Sequence, residues 1–205
     1  YKTPATFYVT TKFINEGALS WVDKIESYIA SAANQAITIP AMNEEFTVSS
    51  LESRLYLMSQ IRSFVKNNPL LDANDFSESL CDIIKLKEEP MIEKEIDSKL
   101  TWEELRLLSK EPLATVGGHS HTHRIMNYLN DKELDLEIKE SLRLLNKMAS
   151  INTHHYSYPE GHSSSFSENV INVLKSYNIK ICPTAIDGSN SSNADPFTLK
   201  RVMVY

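Results

Sequence analysis

The fold is indicated most directly by residues 113–123, which read Leu113-Ala114-Thr115-Val116-Gly117-Gly118-His119-Ser120-His121-Thr122-His123. An apolar segment runs into two glycines and then into three alternating histidines. This pattern predicts a buried strand, Ala114 to Val116, whose end opens into a loop. Because binding and catalytic residues are concentrated in loops held by a rigid scaffold, the segment predicts a functional site at the end of this strand.

The histidine spacing indicates a metal site. Imidazole is a good zinc ligand, and residues four apart on a helical turn would direct His119 and His123 toward one ion. In an extended segment alternate residues share a face, so His121 would join them. Periodicity leaves both arrangements open. We expect the hydroxyls of Ser120 and Thr122 to accept hydrogen bonds from ring N–H groups of bound histidines, and a third protein ligand must come from elsewhere.

Composition limits the class of protein. The chain has 205 residues, 41% of them hydrophobic, and a formal net charge of −6, which is typical of a soluble globular chain. The acidic balance and the lack of a Lys/Arg-rich run argue against nucleic acid as a partner. No segment is long and apolar enough to span a membrane. The two cysteines, Cys81 and Cys182, have no CxxC spacing and predict neither a disulfide framework nor a cysteine zinc site.

Strand and helix patterns alternate along much of the chain. A short buried strand at Ala5 to Thr10 ends at Asn15-Glu16-Gly17, a capping box at Thr101 opens a helix through Leu108, and an amphipathic helix from Asp131 to Met148 has Asp131 as its cap. Further predicted elements are a strand at residues 155–157, a turn at 158–161, a helix at 166–177 and a strand at 179–183. This alternation predicts an α/β fold with a parallel sheet or barrel.

Residues 20–98 depart from this alternation. Apolar residues repeat at helical spacing in two stretches, one with Trp21, Val22, Ile25 and Ile29 and one from Leu51 to Val65, and residues 36–48 between them predict a small hairpin. We therefore interpret residues 20–98 as a mainly helical insertion, either a lid or an interaction surface, within a single domain that comprises residues 1–205.

Four segments, in this order, resemble the polysaccharide deacetylases of the NodB-homology type, which are carbohydrate esterases of family four. They are Pro4-Ala5-Thr6-Phe7-Tyr8-Val9, Leu100-Thr101-Trp102-Glu103-Glu104-Leu105, Val116-Gly117-Gly118-His119-Ser120-His121-Thr122-His123 and Ser157-Tyr158-Pro159-Glu160-Gly161-His162. The resemblance implies a distorted (β/α) barrel, here partial, and a bacterial hydrolase that removes acetyl groups from glycans with a divalent metal, most simply zinc.

The resemblance assigns roles to individual residues. His119 and His123 match the two metal-binding histidines, which share the ion with an aspartate, and Ser120 matches a hydroxyl that supports them. The turn Tyr158-Pro159-Glu160-Gly161 matches a groove-forming turn in which a backbone N–H holds the oxyanion, and His162 follows it as a candidate substrate contact. Glu160 replaces the usual aromatic residue, a departure that bears on substrate contacts because a carboxylate near an oxyanion is unfavourable unless it points away.

Two family elements are absent from these residues. The catalytic base and the metal aspartate belong to a Thr-Phe-Asp-Asp type of strand, which is expected upstream of Tyr1, and the sequence contains no Asp-Asp pair. The late Leu-x-His element that supplies the general acid is also absent. We therefore expect a domain without its first strand, no catalytic residue of this type within the chain, and little or no activity from the chain alone.

Other interpretations remain open at this stage. The chain could be a non-catalytic, glycan-binding or structural relative of the deacetylases, or a different zinc hydrolase in which Asp187, Asp195 or Glu160 completes the site. His154 and His155 lie on a predicted strand, where only one of them can face the site. The expected partner is an acetylated glycan, whereas the sugar, the oligomeric state and the compartment, cytoplasm or cell envelope, are not determined by the sequence.

Overall fold

The computed structural model describes residues 2–17, 19–68, 71–85, 98–202 and 204. The chain forms two compact units, one made of residues 1–18 and 99–205 and the other of residues 19–98. No helix in the described ranges is long and apolar enough to cross a membrane.

The sheet of the first unit is parallel. Strand β1 (Ala5–Val9) pairs with β4 (Ala114–Gly118) in a register that runs from Ala5 opposite Ala114 to Val9 opposite Gly118. Isolated parallel bridges join Gly118 to Tyr156 and His155 to Ile181, so the predicted strands at 155–157 and 179–183 are reduced to single bridges. The α/β class is confirmed, while the sheet of the described residues is small and does not close, so the barrel stays a prediction.

The start of the chain differs from the sequence expectation in two ways. Helix α1 (Thr11–Glu16) begins directly after β1, where we expected a strand running out, and it ends at Gly17 in the left-handed conformation. Its first N–H groups are satisfied from a distant segment, because Thr11 N and Lys12 N donate to the carbonyls of Ser120 and His121. The prediction of a buried β1 was wrong, since only one edge of it is paired with a strand among the described residues and Phe7 is 42% exposed.

Three further helices of this unit are α5 (Trp102–Leu108), α6 (Asp131–Ala149) and α7 (Glu168–Ser176). The capping box that opens α5 is confirmed. The cap of α6 is Asn130, which forms a capping box with Glu133, so the assignment of Asp131 as the cap was wrong by one residue. An asparagine immediately before a first turn that carries Glu at its third position is the stronger N-terminal signal.

Two apolar clusters hold this unit together, and helix α6 contributes to both. The first cluster consists of Met126, Leu129, Leu134, Ile138, Tyr156, Tyr158, Val170, Leu174, Ile179, Cys182 and Phe197. The second consists of Val9, Leu105, Val116, Leu145, Ala149 and Ile151. The predicted apolar face of α6 is therefore confirmed, and this helix lies against β4 and the segment that follows it.

The second unit has its own core. Helix α2 (Trp21–Ser31), the antiparallel hairpin of β2 (Gln35–Ile39) and β3 (Glu44–Val48), helix α3 (Leu51–Asn67) and helix α4 (Ala73–Ile83) enclose it. The predicted hairpin and both predicted helices are confirmed, and α4 was not predicted. The buried apolar residues of this core are Trp21, Ile25, Ile29, Ala32, Ile37, Ile39, Phe46, Val48, Leu57, Ile61, Val65, Phe76, Leu80 and Ile84.

Candidate metal centre

Two of the three histidines converge. Residues 119–123 are neither helical nor extended, and the ring centroids of His119 and His123 lie 4.9 Å apart in an edge-on arrangement. The ring of His121 turns elsewhere, with its Nδ1 3.0 Å from the Thr11 hydroxyl. Of the arrangements that the sequence left open, the structure therefore brings together the pair at positions 119 and 123.

The loop reaches this geometry with a strained backbone. Ser120 and His123 both have positive φ values, 59° and 65°, a conformation that costs a residue with a side chain about 1–3 kcal/mol. The Ser120 hydroxyl accepts a hydrogen bond from His123 N at 2.8 Å. Ser120 therefore acts on the backbone of the second histidine, and its side chain is fully buried.

The tautomer of His119 follows from its partner. Its Nδ1 lies 2.9 Å from the carbonyl oxygen of Ser157. Because a carbonyl can only accept, Nδ1 carries the proton and the lone pair of the neutral ring is on Nε2. This is the arrangement in which a histidine is oriented through one nitrogen to bind a metal through the other.

Electrostatics keep this ring neutral. Burial, and next the neighbouring His123, lower the pKa of His119 from its ordinary value to about 4. Glu160 acts in the opposite direction and Arg201 in the same direction as burial. At neutral pH His119 is therefore a neutral imidazole with a free lone pair on Nε2, the form that binds metal ions.

Helix α6 supports the loop through a residue that sequence reasoning missed. Glu137 is 8% exposed, and its Oε2 accepts hydrogen bonds from His121 N and Thr122 N, each at 2.9 Å. Its Oε1 accepts from the Thr122 hydroxyl at 2.6 Å, so Thr122 contacts this carboxylate where we had expected a histidine ring. The available signal was an acidic residue inside the apolar stripe, between Leu134 and Ile138.

A second support connects the loop to the same helix. Ser120 N donates to the hydroxyl of Tyr156 at 2.9 Å, and that hydroxyl lies 2.8 Å from the Ser141 hydroxyl. Ser141 in turn donates to the carbonyl of Ile138, which directs the Tyr156 proton toward Ser141. Tyr156 and Ser141 are fully buried, so this chain of hydrogen bonds is shielded from water.

The side chains of the turn at residues 158–161 differ in exposure. Tyr158 is 1% exposed, stacks on Phe166 with ring centroids 4.6 Å apart, and donates its hydroxyl proton to the carbonyl of Phe197. The Tyr158 ring therefore belongs to the core, and contact between this turn and a substrate stays a prediction. Pro159 is buried as well, whereas Glu160 is half-buried and His162 is exposed.

The backbone of this turn is tightly constrained. Glu160 and Gly161 have φ values of 60° and 67°. A Cβ atom at Gly161 would lie 2.6 Å from Ala185 N, and Gly161 exchanges hydrogen bonds through its N–H with the Pro159 carbonyl and through its carbonyl with Ala185 N. Glycine is thus required here by close approach as well as by conformation.

The described residues do not supply a third ligand. No group of three or more His, Cys, Asp or Glu side chains is placed to hold an ion in that part of the chain. Asp187, Asp195 and His154 are exposed, and Asp195 accepts a hydrogen bond from Phe197 N in its own loop. The neighbouring rings of His119 and His123 are therefore the two candidate nitrogen ligands, and imidazole nitrogen is a ligand that zinc accepts.

Comparison with known proteins identifies a family for this chain. The family model for polysaccharide deacetylases matches residues 68–183, more than half of the chain. A Streptococcus pyogenes deacetylase, PplD, in complex with acetate is 20% identical, with a TM-score of 0.47 over 52% of this chain and 46% of its own. The deacetylase domain of BpsB from Bordetella bronchiseptica gives the same identity and TM-score over 53% and 50%.

A de-N-acetylase from Aggregatibacter actinomycetemcomitans is matched over 98% of this chain and 60% of its own, with 12% identity and a TM-score of 0.46. The chain thus spans about half the length of the first solved structures it matches. No curated protein matches the sequence. With these TM-scores below 0.5, the assignment rests on the family match over residues 68–183, and on that match the chain belongs to the polysaccharide deacetylase family.

Proposed function

We propose that this chain is part of a metal-dependent hydrolase that removes N- or O-acetyl groups from a bacterial glycan or polysaccharide. The observation that carries the proposal is the convergence of His119 and His123, 4.9 Å apart between ring centroids, on the loop that follows a parallel strand of a polysaccharide deacetylase. Ligand sites in α/β folds lie at this carboxyl end of the strands.

In this proposal His119 Nε2 and the His123 ring hold a divalent ion, most simply zinc. The ion would polarise the acetyl carbonyl and lower the pKa of a water molecule. Ser157 orients the ring of His119 through its carbonyl, and Ser120 fixes the backbone of His123. These contacts prepare the two ligands before the ion arrives, which reduces the cost of binding it.

We assign the third metal ligand and the general base to aspartates on a strand outside these 205 residues. Two observations support the assignment: the sequence has no adjacent pair of aspartates, and β1 has a strand partner on one edge only in the described part of the sheet. In the same proposal the complete domain is a deacetylase barrel, and residues 20–98, which form a compact unit of their own, are an insertion in it.

The turn after the bridge at Tyr156 would meet the oxyanion. Pro159 has no N–H, and the N–H of Gly161 is donated to the Pro159 carbonyl. We assign the oxyanion contact to a backbone N–H of this turn, with the acetylated glycan lying along Glu160 and the exposed His162. A backbone donor is preserved whatever side chain stands at this position.

The metal proposal is tested by zinc affinity. We expect the 205-residue chain to bind zinc with an affinity that falls at least about tenfold in His119→Ala and in His123→Ala, because each removes one of two ligands. His121→Ala is the matched control and should bind as the unmodified chain does, since its ring faces Thr11. Equal loss in all three variants would indicate unspecific histidine binding and contradict the assignment.

The catalytic proposal is tested by acetate release from acetylated chitooligosaccharides and acetylxylan. A general base typically contributes about a hundred- to ten-thousand-fold to the rate, so we expect the 205 residues alone to be inactive or nearly so. A longer native protein that carries an Asp-Asp strand before Tyr1 should release acetate. Turnover by the 205 residues that disappears in His119→Ala would overturn the assignment of the base to an external strand.

A second candidate function is favoured by the incomplete ligand set among the described residues. A non-catalytic relative that binds glycans would keep the histidine pair without a base. N-terminal sequencing and intact mass of the native protein separate the two, because upstream residues without adjacent aspartates would leave binding as the function of the loop.

A further inference from the structure

The geometry points to Glu137 as a positioning residue that holds the loop of residues 119–123 in the conformation that brings the His119 and His123 rings together. This inference rests on the proposed function for its biological meaning. The contacts of Glu137 are independent of the proposed function. Its carboxylate accepts three hydrogen bonds from two consecutive loop residues, at 2.9, 2.9 and 2.6 Å.

Burial makes these contacts significant. Glu137 is 8% exposed, and acidic residues are almost never this buried unless they are paired or fully hydrogen-bonded. Its neighbours on the inner face of α6, Leu134 and Ile138, are completely buried. An apolar residue would suit this position of an amphipathic helix, so the carboxylate serves the loop, whose partly buried N–H groups at His121 and Thr122 would otherwise lose their acceptor.

The loop is held from two sides. On the side of β1 and α1, its backbone exchanges hydrogen bonds with residues 9–12: His119 N donates to Val9 O, the Thr10 hydroxyl donates to His119 O, and the N–H groups of Thr11 and Lys12 donate to the next two carbonyls. On the other side, Ser120 N donates to the Tyr156 hydroxyl, and His121 N and Thr122 N donate to Glu137 of α6.

The strained backbone of Ser120 and His123 explains why the loop is hydrogen-bonded from two sides. The positive φ values of Ser120 and His123 persist only where surrounding contacts over-determine the backbone. Glu137 binds the two residues that lie between them. Removing its carboxylate would free His121 and Thr122 to rotate, and the relaxed loop would carry the His123 ring away from His119.

The test compares Glu137→Ala with Glu137→Gln and with Glu140→Ala. In Glu137→Gln the amide oxygen can accept the two backbone N–H bonds while its NH₂ group donates to the Thr122 hydroxyl, so positioning is preserved. Glu140 lies on the same helix and pairs with Arg143, which makes its alanine variant a matched control for loss of a carboxylate.

Two readouts are taken on the 205-residue chain. One is the NOE between ring protons of His119 and His123 in EDTA, which reports convergence without any metal, and the other is the zinc dissociation constant. We expect Glu137→Ala to lose the NOE and to bind zinc at least about tenfold more weakly, because substitution of residues that orient a metal ligand commonly costs this much affinity. Glu137→Gln should stay within about threefold of the unmodified chain, and Glu140→Ala should be unchanged.

The outcomes separate the two proposals. A folded Glu137→Ala chain with an intact NOE and unchanged zinc affinity would overturn the positioning role and leave the proposed function standing. An NOE that depends on Glu137, together with zinc binding that is insensitive to His119→Ala, would overturn the metal site and leave the positioning role standing.

If Glu137→Ala does not fold, the positioning role is tested by comparing Thr122→Val, which removes the hydroxyl that donates to Glu137, with Thr122→Ser, which keeps it. A weakened NOE in the valine variant alone supports the inference. Identical spectra of the two variants overturn it.

Discussion

The ring of Tyr156 lies directly against the backbone of Gly118, where a Cβ atom would come within 2.4 Å of the tyrosine Cε2. The two residues also form a parallel bridge, and the Tyr156 hydroxyl accepts the N–H of Ser120, two residues beyond the glycine. The missing side chain at Gly118 thus allows a core tyrosine to reach the histidine loop.

Gly118→Ala should therefore disturb the loop as well as the core. Forcing a methyl group into a packed interior costs about 1–3 kcal/mol of the free energy of unfolding, measured by urea denaturation. The Ser120 amide should exchange faster with deuterium, because the displaced ring no longer accepts its hydrogen bond. Gly17→Ala is the control: its φ of 62° penalises alanine but nothing lies within 4 Å of the new Cβ, so protection of Ser120 should not change.

Asn130→Ala should destabilise the first unit through helix α6. The Asn130 side chain accepts the N–H of Glu133 at 3.1 Å, and losing such a cap costs about 1 kcal/mol. Asp131→Ala, one residue along, removes an exposed hydrogen bond from Asn169 and a negative charge in the first turn of α6. A charge near a helix end contributes a few tenths of a kcal/mol, so we expect about that loss in the free energy of unfolding. Equal losses in denaturant unfolding would contradict the assignment of the cap.

Acid should weaken the metal-free chain through His119. Its pKa is lowered to about 4 in the folded state against about 6.5 when unfolded. Between these two pKa values the unfolded chain binds the proton and the folded chain does not. The contribution of the neutral His119 to the free energy of unfolding is therefore fully present above pH 6.5 and is lost as the pH drops toward 4. One such group contributes a slope of at most about 1.4 kcal/mol per pH unit.

His119→Asn is the matching variant, because its amide can still donate to the Ser157 carbonyl while it does not titrate. Urea unfolding in EDTA between pH 7 and pH 4 should give a shallower decline for this variant than for the unmodified chain. Parallel pH profiles would show that the folded state accommodates a charged His119.

The two cysteines should differ in reactivity. Cys182 is fully buried, and burial raises the pKa of its thiol well above the ordinary value, so little reactive thiolate forms. Cys81 is only partly buried, although burial raises its pKa as well. We expect iodoacetamide to modify Cys81 first in the folded chain and Cys182 only in denaturant, as read by peptide mass spectrometry. Equal rates without denaturant would contradict the burial of Cys182.

Local patterns were sufficient where structure is local. The helices α2, α3, α5 and α6 and the hairpin of β2 and β3 follow from apolar periodicity, capping residues and strand patterns, since each of these signals lies within the element's own residues. Helix α1 was missed because its first turn is completed by carbonyls of residues 120 and 121. That partnership spans more than a hundred residues and leaves no periodic trace.

The sequence by itself determined the candidate ligands, because three alternating histidines after a strand and two glycines can be recognised without coordinates, and so can the resemblance to the deacetylases. Only the tertiary structure decided that His119 and His123 converge while His121 turns to Thr11. It also decided that Tyr158 belongs to the core and that Glu137 accepts three hydrogen bonds from the histidine loop. The physical reason is that the direction of a side chain in an irregular loop is set by the hydrogen bonds of its backbone, and here those bonds come from β1, α1, α6 and Tyr156, which are distant in the chain.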